Sequence, residues 1–206
     1  MSTRWGRVIS RLGTQVARIF VDLQAQHTDR VPSSGPAIIC PNHLSVIDPI
    51  LLIWVLEREP VFWAARYLFD IPLLGWILRQ GGVLPVQGIR ASLKAVRETC
   101  RSLDEGRVAV MFPQGGVRPP GEKVLPHRGA AFVAIQTGAP LIPVAIFGSD
   151  RVLPVGSYRP RRGRVQIRFG EPLVGFQSVS SLNRALGDRT DKLLGIHPGK
   201  GVCPGL

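Results

Sequence analysis

Short apolar runs alternate with stretches of helical periodicity along most of this chain. Runs typical of buried strands lie at 37–41, 61–65, 81–86, 108–112 and 141–147, and the polar–apolar alternation over 164–169 predicts a half-exposed edge strand. Helices are predicted over 50–56, 91–105, 129–137 and 180–194, with two short apolar helices over 66–80. This alternation predicts an α/β fold with a single mixed, mostly parallel sheet flanked by helices.

The N-terminal segment has the pattern of an amphipathic helix. Its apolar positions recur at helical spacing and are Trp5, Val8, Ile9, Leu12, Val16, Ile19, Phe20 and Leu23. The opposite side carries Arg4, Arg7, Arg11 and Arg18. Such a helix either packs on its own domain or lies in a membrane interface with its arginines against anionic headgroups. The basic polar face favours the membrane interface.

The composition indicates a folded protein with an anionic partner. Of the 206 residues, 45% are hydrophobic and 19% are charged, which excludes a disordered chain. The net charge of +12 favours nucleic acid, an anionic lipid surface or a phosphorylated substrate. No RNA-recognition or zinc-finger signature is present, and the aromatic residues lie in apolar surroundings rather than between basic ones. We therefore expect an anionic membrane surface as partner and no nucleic acid.

Cysteine usage and hydropathy predict the compartment. Cys40, Cys100 and Cys203 are odd in number and have no paired spacing, which predicts neither a disulfide framework nor a metal site. Unpaired cysteines are typical of a reducing cytosol. Residues 1–23 lack the apolar core of a secretory signal, and no run reaches the roughly 18 apolar residues of a membrane span. A peripheral location on the cytoplasmic face of the cell membrane is expected.

His43 and Asp48 are the strongest candidates for catalysis. They follow the apolar run 37–41, where a predicted strand ends and the chain turns into a helix, and functional sites in α/β sheets lie at such strand ends. A histidine can accept a proton from a hydroxyl near neutral pH, and a carboxylate can fix its tautomer and stabilise the imidazolium. Cys40 precedes His43 by three residues, but a small cysteine ending a buried strand is typical of a core.

Two neighbouring features supplement this pair. Asn42 either caps the helix predicted to start near Ser45 or polarises a substrate carbonyl, and capping is the favoured interpretation. Residues 112–116, Phe-Pro-Gln-Gly-Gly, form a turn after a buried strand, and glycines allow backbone N–H groups to approach an oxyanion or a phosphate. A plain tight turn is the alternative. The chain has no G-x-S-x-G sequence, so no serine acyl-enzyme is expected.

Four motifs in a fixed order connect these residues to a known family. Asn42, His43 and Asp48 complete the sequence N-H-x-x-x-x-D. An apolar segment over 62–76 follows, Ala-Pro-Leu-Ile-Pro-Val occupies 139–144, and Gly-Glu-Pro-Leu occupies 170–173. Over 37–172, the chain resembles the lysophospholipid acyltransferase family, whose type member is 1-acylglycerol-3-phosphate acyltransferase.

Two motifs depart from the family pattern. The second motif usually ends in an Arg soon after its Pro-Val, and here the Arg comes late, as Arg90. The third motif is usually F-P-E-G-T-R; this chain has Gln114 for the Glu, Gly116 for the Thr and Arg118 one place late. In the family these motifs bind the acceptor and its phosphate. Either Arg90 and Arg118 reach the same anion from shifted positions, or the acceptor differs.

The resemblance implies transfer of a fatty acyl group from acyl-CoA or acyl-carrier protein to the hydroxyl of a lysophospholipid such as 1-acylglycerol-3-phosphate, in phospholipid biosynthesis. It implies His43 as general base and Asp48 as the carboxylate that orients it. The residues implied to bind substrate are Asn42, Arg90, Gln114, Gly115, Gly116 and Arg118. Apart from the thioester co-substrate, no cofactor or metal is implied.

The implied organisation is a membrane-interface helix over 1–30, an acyltransferase domain over 31–195 and a flexible tail over 196–206. Two alternatives stay open. The altered second and third motifs suggest acyl transfer to a different hydroxyl or to an amine. The basic amphipathic helix, combined with those altered motifs, also suits a catalytically weak lipid-binding protein of the membrane surface.

Overall fold

The computed structural model describes residues 4–122, 125–157 and 159–196, without the side chains at 4, 5, 10 and 89–91. The strands in this part of the chain are β1 (Val21–Gln26), β2 (Ala37–Pro41), β3 (Pro60–Ala65), β4 (Leu84–Val86), β5 (Val108–Val110), β6 (Leu141–Phe147) and β7 (Gly163–Phe169). The α-helices are α1 (Arg4–Phe20), α2 (Asp48–Val55), α3 (Pro72–Gln80), α4 (Gly88–Asp104), α5 (Gly129–Thr137), α6 (Ser149–Val152) and α7 (Val179–Leu194). Short 3₁₀ helices span Thr28–Arg30 and Arg66–Asp70.

The strands form one sheet in the order β1-β7-β6-β2-β5-β3-β4. Neighbouring strands pair in parallel except β6 and β7, which are antiparallel. The predicted α/β class with a single mixed, mostly parallel sheet and flanking helices is therefore confirmed. Strand β2 lies at the centre, and all five of its residues are buried.

Helices cover both faces of the sheet. Side chains alternate between the two faces along each strand, so β2 contributes to a core cluster on each face. Ala37 and Ile39 of β2 join a core cluster with Leu51 and Leu52 of α2. The alternate residues of β2 join a second cluster, built with α5, α7 and Leu103 of α4. The central strand is thus buried on both sides, as expected for a parallel sheet.

Two predictions about β1 and β7, at one end of the strand order, are wrong. The helical pattern extends to Leu23, but α1 ends at Phe20, and Val21–Gln26 form β1. The alternation over 164–169 predicts an edge strand, but β7 pairs with β1 on one side and with β6 on the other. Both errors have one cause, since the strand that covers β7 lies within the segment predicted as helix.

Helix α1 packs closely through Gly6 and leaves four of its large apolar residues exposed. It contacts α2 and α3, and a Cβ at Gly6 would lie 2.2 Å from the carbonyl oxygen of Gln80. Val8, Leu12, Val16 and Ile19, here called the apolar stripe, are 41%, 61%, 57% and 58% exposed. No helix within the described ranges is long and apolar enough to cross a membrane. Apart from Ile196, the predicted tail over 196–206 lies outside the described residues.

Candidate active site

The candidate site lies where three neighbouring strands end. Strand β2 ends at Pro41, two residues before His43, and pairs in parallel with β5 and β6. The carboxyl ends of these three strands therefore share one edge of the sheet, which is the usual position of a site in an α/β fold. The loops after β2 and β5 meet at this edge, where the amide of Arg118 donates a 2.8 Å hydrogen bond to the carbonyl of His43.

The structure brings His43 and Asp48 together. Their Nδ1 and Oδ2 atoms are 2.9 Å apart; the side chain of His43 is 15% exposed and that of Asp48 is fully buried. When Nδ1–H donates to the carboxylate, the lone pair of the ring lies on Nε2. Among the described residues, Nε2 has no hydrogen-bond partner. This arrangement leaves Nε2 able to accept a proton from a substrate.

Asp48 is held by the backbone as well as by the histidine. The amides of Leu44 and Ser45 donate to its Oδ2 atom at 2.8 and 2.9 Å. Asp48 is also the first residue of α2, followed by Pro49, and both residue types are favoured in the first turn of a helix. The carboxylate is therefore fixed by its own helix and by the loop that carries His43.

Asn42 has a different role from the predicted helix cap. Its side-chain amide donates to the carbonyl of Ile146 at 3.0 Å, and its Oδ1 atom accepts from the amide of Ile146 at 2.6 Å. Helix α2 begins at Asp48 without a side-chain cap, so the capping prediction is wrong. The buried Asn42 side chain ties the end of β2 to β6 and thereby positions the next residue, His43. Ser45 is not the cap either, since its hydroxyl donates to the carbonyl of Leu153 at 2.7 Å.

The turn over 112–116 is fastened to His43 from two sides. The Oε1 atom of Gln114 accepts a 3.0 Å hydrogen bond from the backbone amide of His43. The ring of Phe112 stacks on the imidazole with centroids 4.1 Å apart and an interplanar angle of 26°. Gln114 therefore holds the loop that carries His43 through the backbone of that loop, and Phe112 restricts rotation of the imidazole ring.

The two glycines of this turn differ in what they offer a ligand. Gly115 has φ +73° and its amide donates to the carbonyl of Phe112 at 3.2 Å, so this N–H is already used within the turn. A Cβ at Gly115 would lie 2.7 Å from Nε2 of His127. A Cβ at Gly116 would meet nothing within 4 Å. Gly116 thus faces open space, while the exposed side chain of His127 lies beside the turn at Gly115.

The two candidate arginines are placed differently. Arg118 lies beside His43 through its backbone, and its Nη1 atom is 3.5 Å from Oε1 of Glu122. Its side chain is 42% exposed, and its Nε atom is buried without a hydrogen-bond partner among the described residues. The backbone of Arg90 lies in the first turn of α4, but its side chain is outside the described part of the structure.

Gln114 also lines a cavity of about 20 Å³ behind the turn, together with residues that include Glu122 and Asp191. Of these, Glu122 is the ion-pair partner of Arg118.

Cys40 does not have the surroundings of a nucleophile. It is fully buried, and this burial raises the pKa of its thiol far above the ordinary value. Because the thiolate is the reactive form, Cys40 is inert near neutral pH. Among the described residues, no group of three or more His, Cys, Asp or Glu side chains is arranged to hold a metal ion.

The fold and the site define an α/β protein with a buried histidine–carboxylate pair at the end of its central strand. The model of the Acyltransferase family matches residues 22–147. The chain belongs to this family. The match confirms the family resemblance, and it covers both His43 and Asp48 as well as the turn over 112–116.

Curated relatives of this chain carry the name of one activity. The present chain is 26% identical over 170 residues to a chloroplastic 1-acyl-sn-glycerol-3-phosphate acyltransferase of Arabidopsis thaliana. The alignment covers 81% of this chain and 48% of that protein. Proteins of the same name from Borreliella burgdorferi and Helicobacter pylori are 26% and 27% identical, covering 60% and 79% of this chain and 50% and 72% of theirs. The chain thus spans about half the length of the Arabidopsis and Borreliella proteins.

A solved structure shares the fold. The 1-acyl-sn-glycerophosphate acyltransferase PlsC from Thermotoga maritima superposes with a TM-score of 0.78 at 23% sequence identity. The alignment covers 95% of this chain and 81% of that one. This likeness shows that the arrangement of strands and helices is the same.

Proposed function

We propose that the protein transfers a fatty acyl group from a thioester, acyl-CoA or acyl-carrier protein, to the hydroxyl of a lysophospholipid such as 1-acylglycerol-3-phosphate, in phospholipid biosynthesis. The observation that carries this proposal is the 2.9 Å contact between His43 and Asp48 at the end of the central strand of an acyltransferase-family fold. The names of the curated relatives support the choice of acceptor.

In the proposed reaction His43 is the general base. Its Nε2 atom takes the proton of the acceptor hydroxyl while that oxygen attacks the carbonyl carbon of the thioester. An ester C–O bond forms, the C–S bond breaks, and the imidazolium returns the proton to the departing thiolate. Asp48 keeps Nδ1 protonated and stabilises the imidazolium, as the carboxylate does in a serine-hydrolase triad.

The anionic end of the acceptor is assigned to the turn that carries Gly116 and Arg118. The side chain of Arg118 is 42% exposed and suits a phosphate, which accepts paired hydrogen bonds from arginine. Gly116 has open space around it, so its backbone can approach a bound anion closely. Binding of a phosphate by Arg118 has to compete with its present partner, Glu122.

That competition supports a second candidate for the acyl acceptor, with the same acyl-transfer chemistry. An acceptor without a phosphate, bearing another hydroxyl or an amine, does not need Arg118 to leave Glu122. The amide at Gln114 likewise removes a negative charge that the usual family motif carries next to the acceptor. The acceptor panel below separates these two possibilities.

We also propose that the protein is peripheral to the membrane, on the cytoplasmic face. The apolar stripe of α1 supports this location, because four large apolar side chains of one helix are exposed on the same side. Arg7, Arg11 and Arg18 flank the stripe and are exposed, which suits anionic headgroups. Cys40 and Cys100 are free thiols, and free thiols support a reducing compartment.

The experiment that tests the activity measures acyl-thioester consumption by wild type and His43→Ala. Long-chain acyl-CoA and acyl-carrier protein serve as donors, with lysophosphatidate, other lysophospholipids, neutral alcohols and amines as acceptors. We expect acceptor-dependent turnover that falls about 10²–10⁴-fold in His43→Ala, the usual contribution of a general base.

His27→Asn is the matched control. His27 is exposed, lies in the loop after β1, and has φ +60°, a backbone conformation that asparagine tolerates. Full activity in His27→Asn with loss in His43→Ala assigns the chemistry to the site. Equal activity in wild type and His43→Ala contradicts the proposal. Vesicle binding without turnover on any acceptor favours the lipid-binding alternative.

A further inference from the structure

A second concave surface lies away from the catalytic turn, where α1 ends and β7 begins. It is open to solvent, has a volume of about 500 Å³, and is lined by residues that include Arg18, Ile19, Asp22 and Arg162. None of the residues that line it belongs to the site described above. Its two exposed arginines and one exposed apolar side chain indicate a ligand with both charged and apolar parts.

The charge of this concavity is positive. Arg162 is exposed and has no carboxylate partner among the described residues. The guanidinium of Arg18 lies 5.2 Å from the ring centroid of Trp54, which orients it without neutralising it. Asp22 also lines the concavity, but its Oδ2 atom is 3.1 Å from Nε of Arg164. The single carboxylate of the lining is thus already paired, and both lining arginines are available to an anion.

The apolar part of the concavity continues along α1. Ile19 lines the concavity and is also the last residue of the apolar stripe, 58% exposed. A ligand with a phosphate at Arg18 and Arg162 and with chains along Ile19 and Val16 would satisfy both features. A free phosphate or a nucleotide has no part that would cover the exposed stripe.

The loop that supplies Arg162 is tied to the catalytic loop. Ser45, three residues before Asp48, donates its hydroxyl to the carbonyl of Leu153, and the amide of Arg161 donates to the carbonyl of Val152 at 2.8 Å. The backbone beside Arg162 is therefore connected to the loop that carries His43 through Val152 and Leu153.

We propose that this concavity binds the phosphate of an anionic membrane phospholipid whose acyl chains lie along the apolar stripe. The proposal rests on the membrane association argued above and adds a defined headgroup site to it. The lipid held there is a structural ligand of the surface and takes no part in acyl transfer.

The test measures partition of the wild-type protein and of Arg162→Gln onto vesicles of phosphatidylcholine alone or with about one-third phosphatidylglycerol. One cation close to an anionic bilayer changes binding about fivefold. We expect Arg162→Gln to lose about fivefold or more on the anionic vesicles and nothing on the neutral ones. Turnover of detergent-dispersed substrate should be unchanged, because Arg162 is not part of the active site.

Arg159→Gln and Arg189→Gln are charge-matched controls. Arg159 is exposed in the same loop but does not line the concavity, and Arg189 is exposed on α7, across the sheet. We expect each to lose less than half as much binding as Arg162→Gln. Equal losses in all three variants would mean that net charge alone attracts the protein, and would overturn the proposed site.

Further outcomes identify a different ligand. If wild type binds inorganic phosphate in solution more tightly than Arg162→Gln does, while the two proteins partition equally onto the anionic vesicles, the concavity takes free phosphate rather than lipid. If vesicle binding is unchanged but turnover falls with acyl-carrier protein and not with acyl-CoA, the loop docks an acidic carrier protein. Either result overturns the lipid site. A wild-type protein that binds no vesicle at all refutes the membrane association as well.

Discussion

At the residue scale, one oxygen atom organises the candidate site. Oδ2 of Asp48 accepts from the imidazole of His43 and from the amides of Leu44 and Ser45. These three hydrogen bonds fix the carboxylate, and the carboxylate fixes the ring. The orientation of His43, the proposed base, thus depends on the backbone of the loop that carries it.

The first prediction at this scale concerns Asp48→Asn. An asparagine oxygen in the place of Oδ2 can still accept all three hydrogen bonds, but it carries no negative charge. The imidazolium that forms when His43 takes the proton then loses the carboxylate that stabilises it. We expect kcat to fall by about 10²-fold or more with little change in KM. Steady-state kinetics with the preferred acceptor measures both.

Asp104→Asn is the control for that variant, because Asp104 is an exposed carboxylate at the end of α4. It should keep wild-type kcat. If Asp48→Asn loses less than a few-fold in kcat, the carboxylate supports only the fold and the mechanism proposed here is wrong.

Sequence predicted the candidate pair at this scale but missed several of its partners. His43 and Asp48 are five residues apart, so local spacing was enough to pair them. Asn42 bonds to Ile146, 104 residues away, and His43 bonds to Gln114, 71 residues away. Such partners depend on which strand ends meet at one edge of the sheet. Phe112 carried a usable signal, since an aromatic residue stands between β5 and the two glycines of the turn.

At the scale of elements, the errors arise where two periodicities coincide. Leu23 follows Ile19 by four residues and Val16 by seven, which continues the helical pattern of α1. Val21 and Leu23 also alternate with polar residues, which is the pattern of β1. The alternation in β7 was recognised correctly, but its place inside the sheet depends on β1. Local patterns identify a strand, and only its pairing decides whether it is an edge.

The packing of α1 gives a prediction that separates two glycines of the same helix. A Cβ at Gly6 would lie 2.2 Å from a backbone oxygen of α3, whereas a Cβ at Gly13 would meet only Ile50 at 3.8 Å, an ordinary contact. Alanine favours a helix by about 1 kcal/mol over glycine. We expect Gly13→Ala to stabilise the docked helix by about 0.5–1 kcal/mol and Gly6→Ala to destabilise it by about 1–3 kcal/mol.

Denaturant unfolding, together with the rate of proteolysis within α1, measures this difference. Each variant serves as the control of the other, since both make the same chemical change in the same helix. Equal effects of the two substitutions would contradict the close contact between α1 and α3.

At the scale of the whole molecule, the topology brings the exposed helix to the catalytic edge. Strand β7 is antiparallel to β6, so β7 begins at the edge where β6 ends. Val21, the residue after α1, pairs with Gly163 at the start of β7. The C-terminal end of α1 and the end of the apolar stripe therefore lie at the same edge of the sheet as His43. A membrane bound along the stripe would lie beside the entrance to the site.

The last prediction tests this arrangement with Leu12→Gln/Val16→Gln, which replaces the two middle residues of the stripe. Glutamine favours a helix about as well as leucine does, so the fold and the melting temperature should be retained. Burial of a leucine or valine side chain contributes about 1.5–3 kcal/mol. We expect vesicle binding to fall by at least about tenfold and turnover of vesicle-presented acceptor to fall with it, while turnover of detergent-dispersed acceptor stays unchanged.

Leu93→Gln/Val174→Gln is a closely matched control. Leu93 and Val174 are 52% and 65% exposed, against 61% and 57% for Leu12 and Val16, and lie outside α1. Because the control removes the same two side-chain types from similar exposure, a loss confined to the stripe assigns membrane binding to α1. Equal losses in both pairs would show that overall surface hydrophobicity, rather than the stripe, drives binding. A loss of turnover that persists in detergent would instead mean that α1 supports the active site directly, through its packing on α2 behind Asp48.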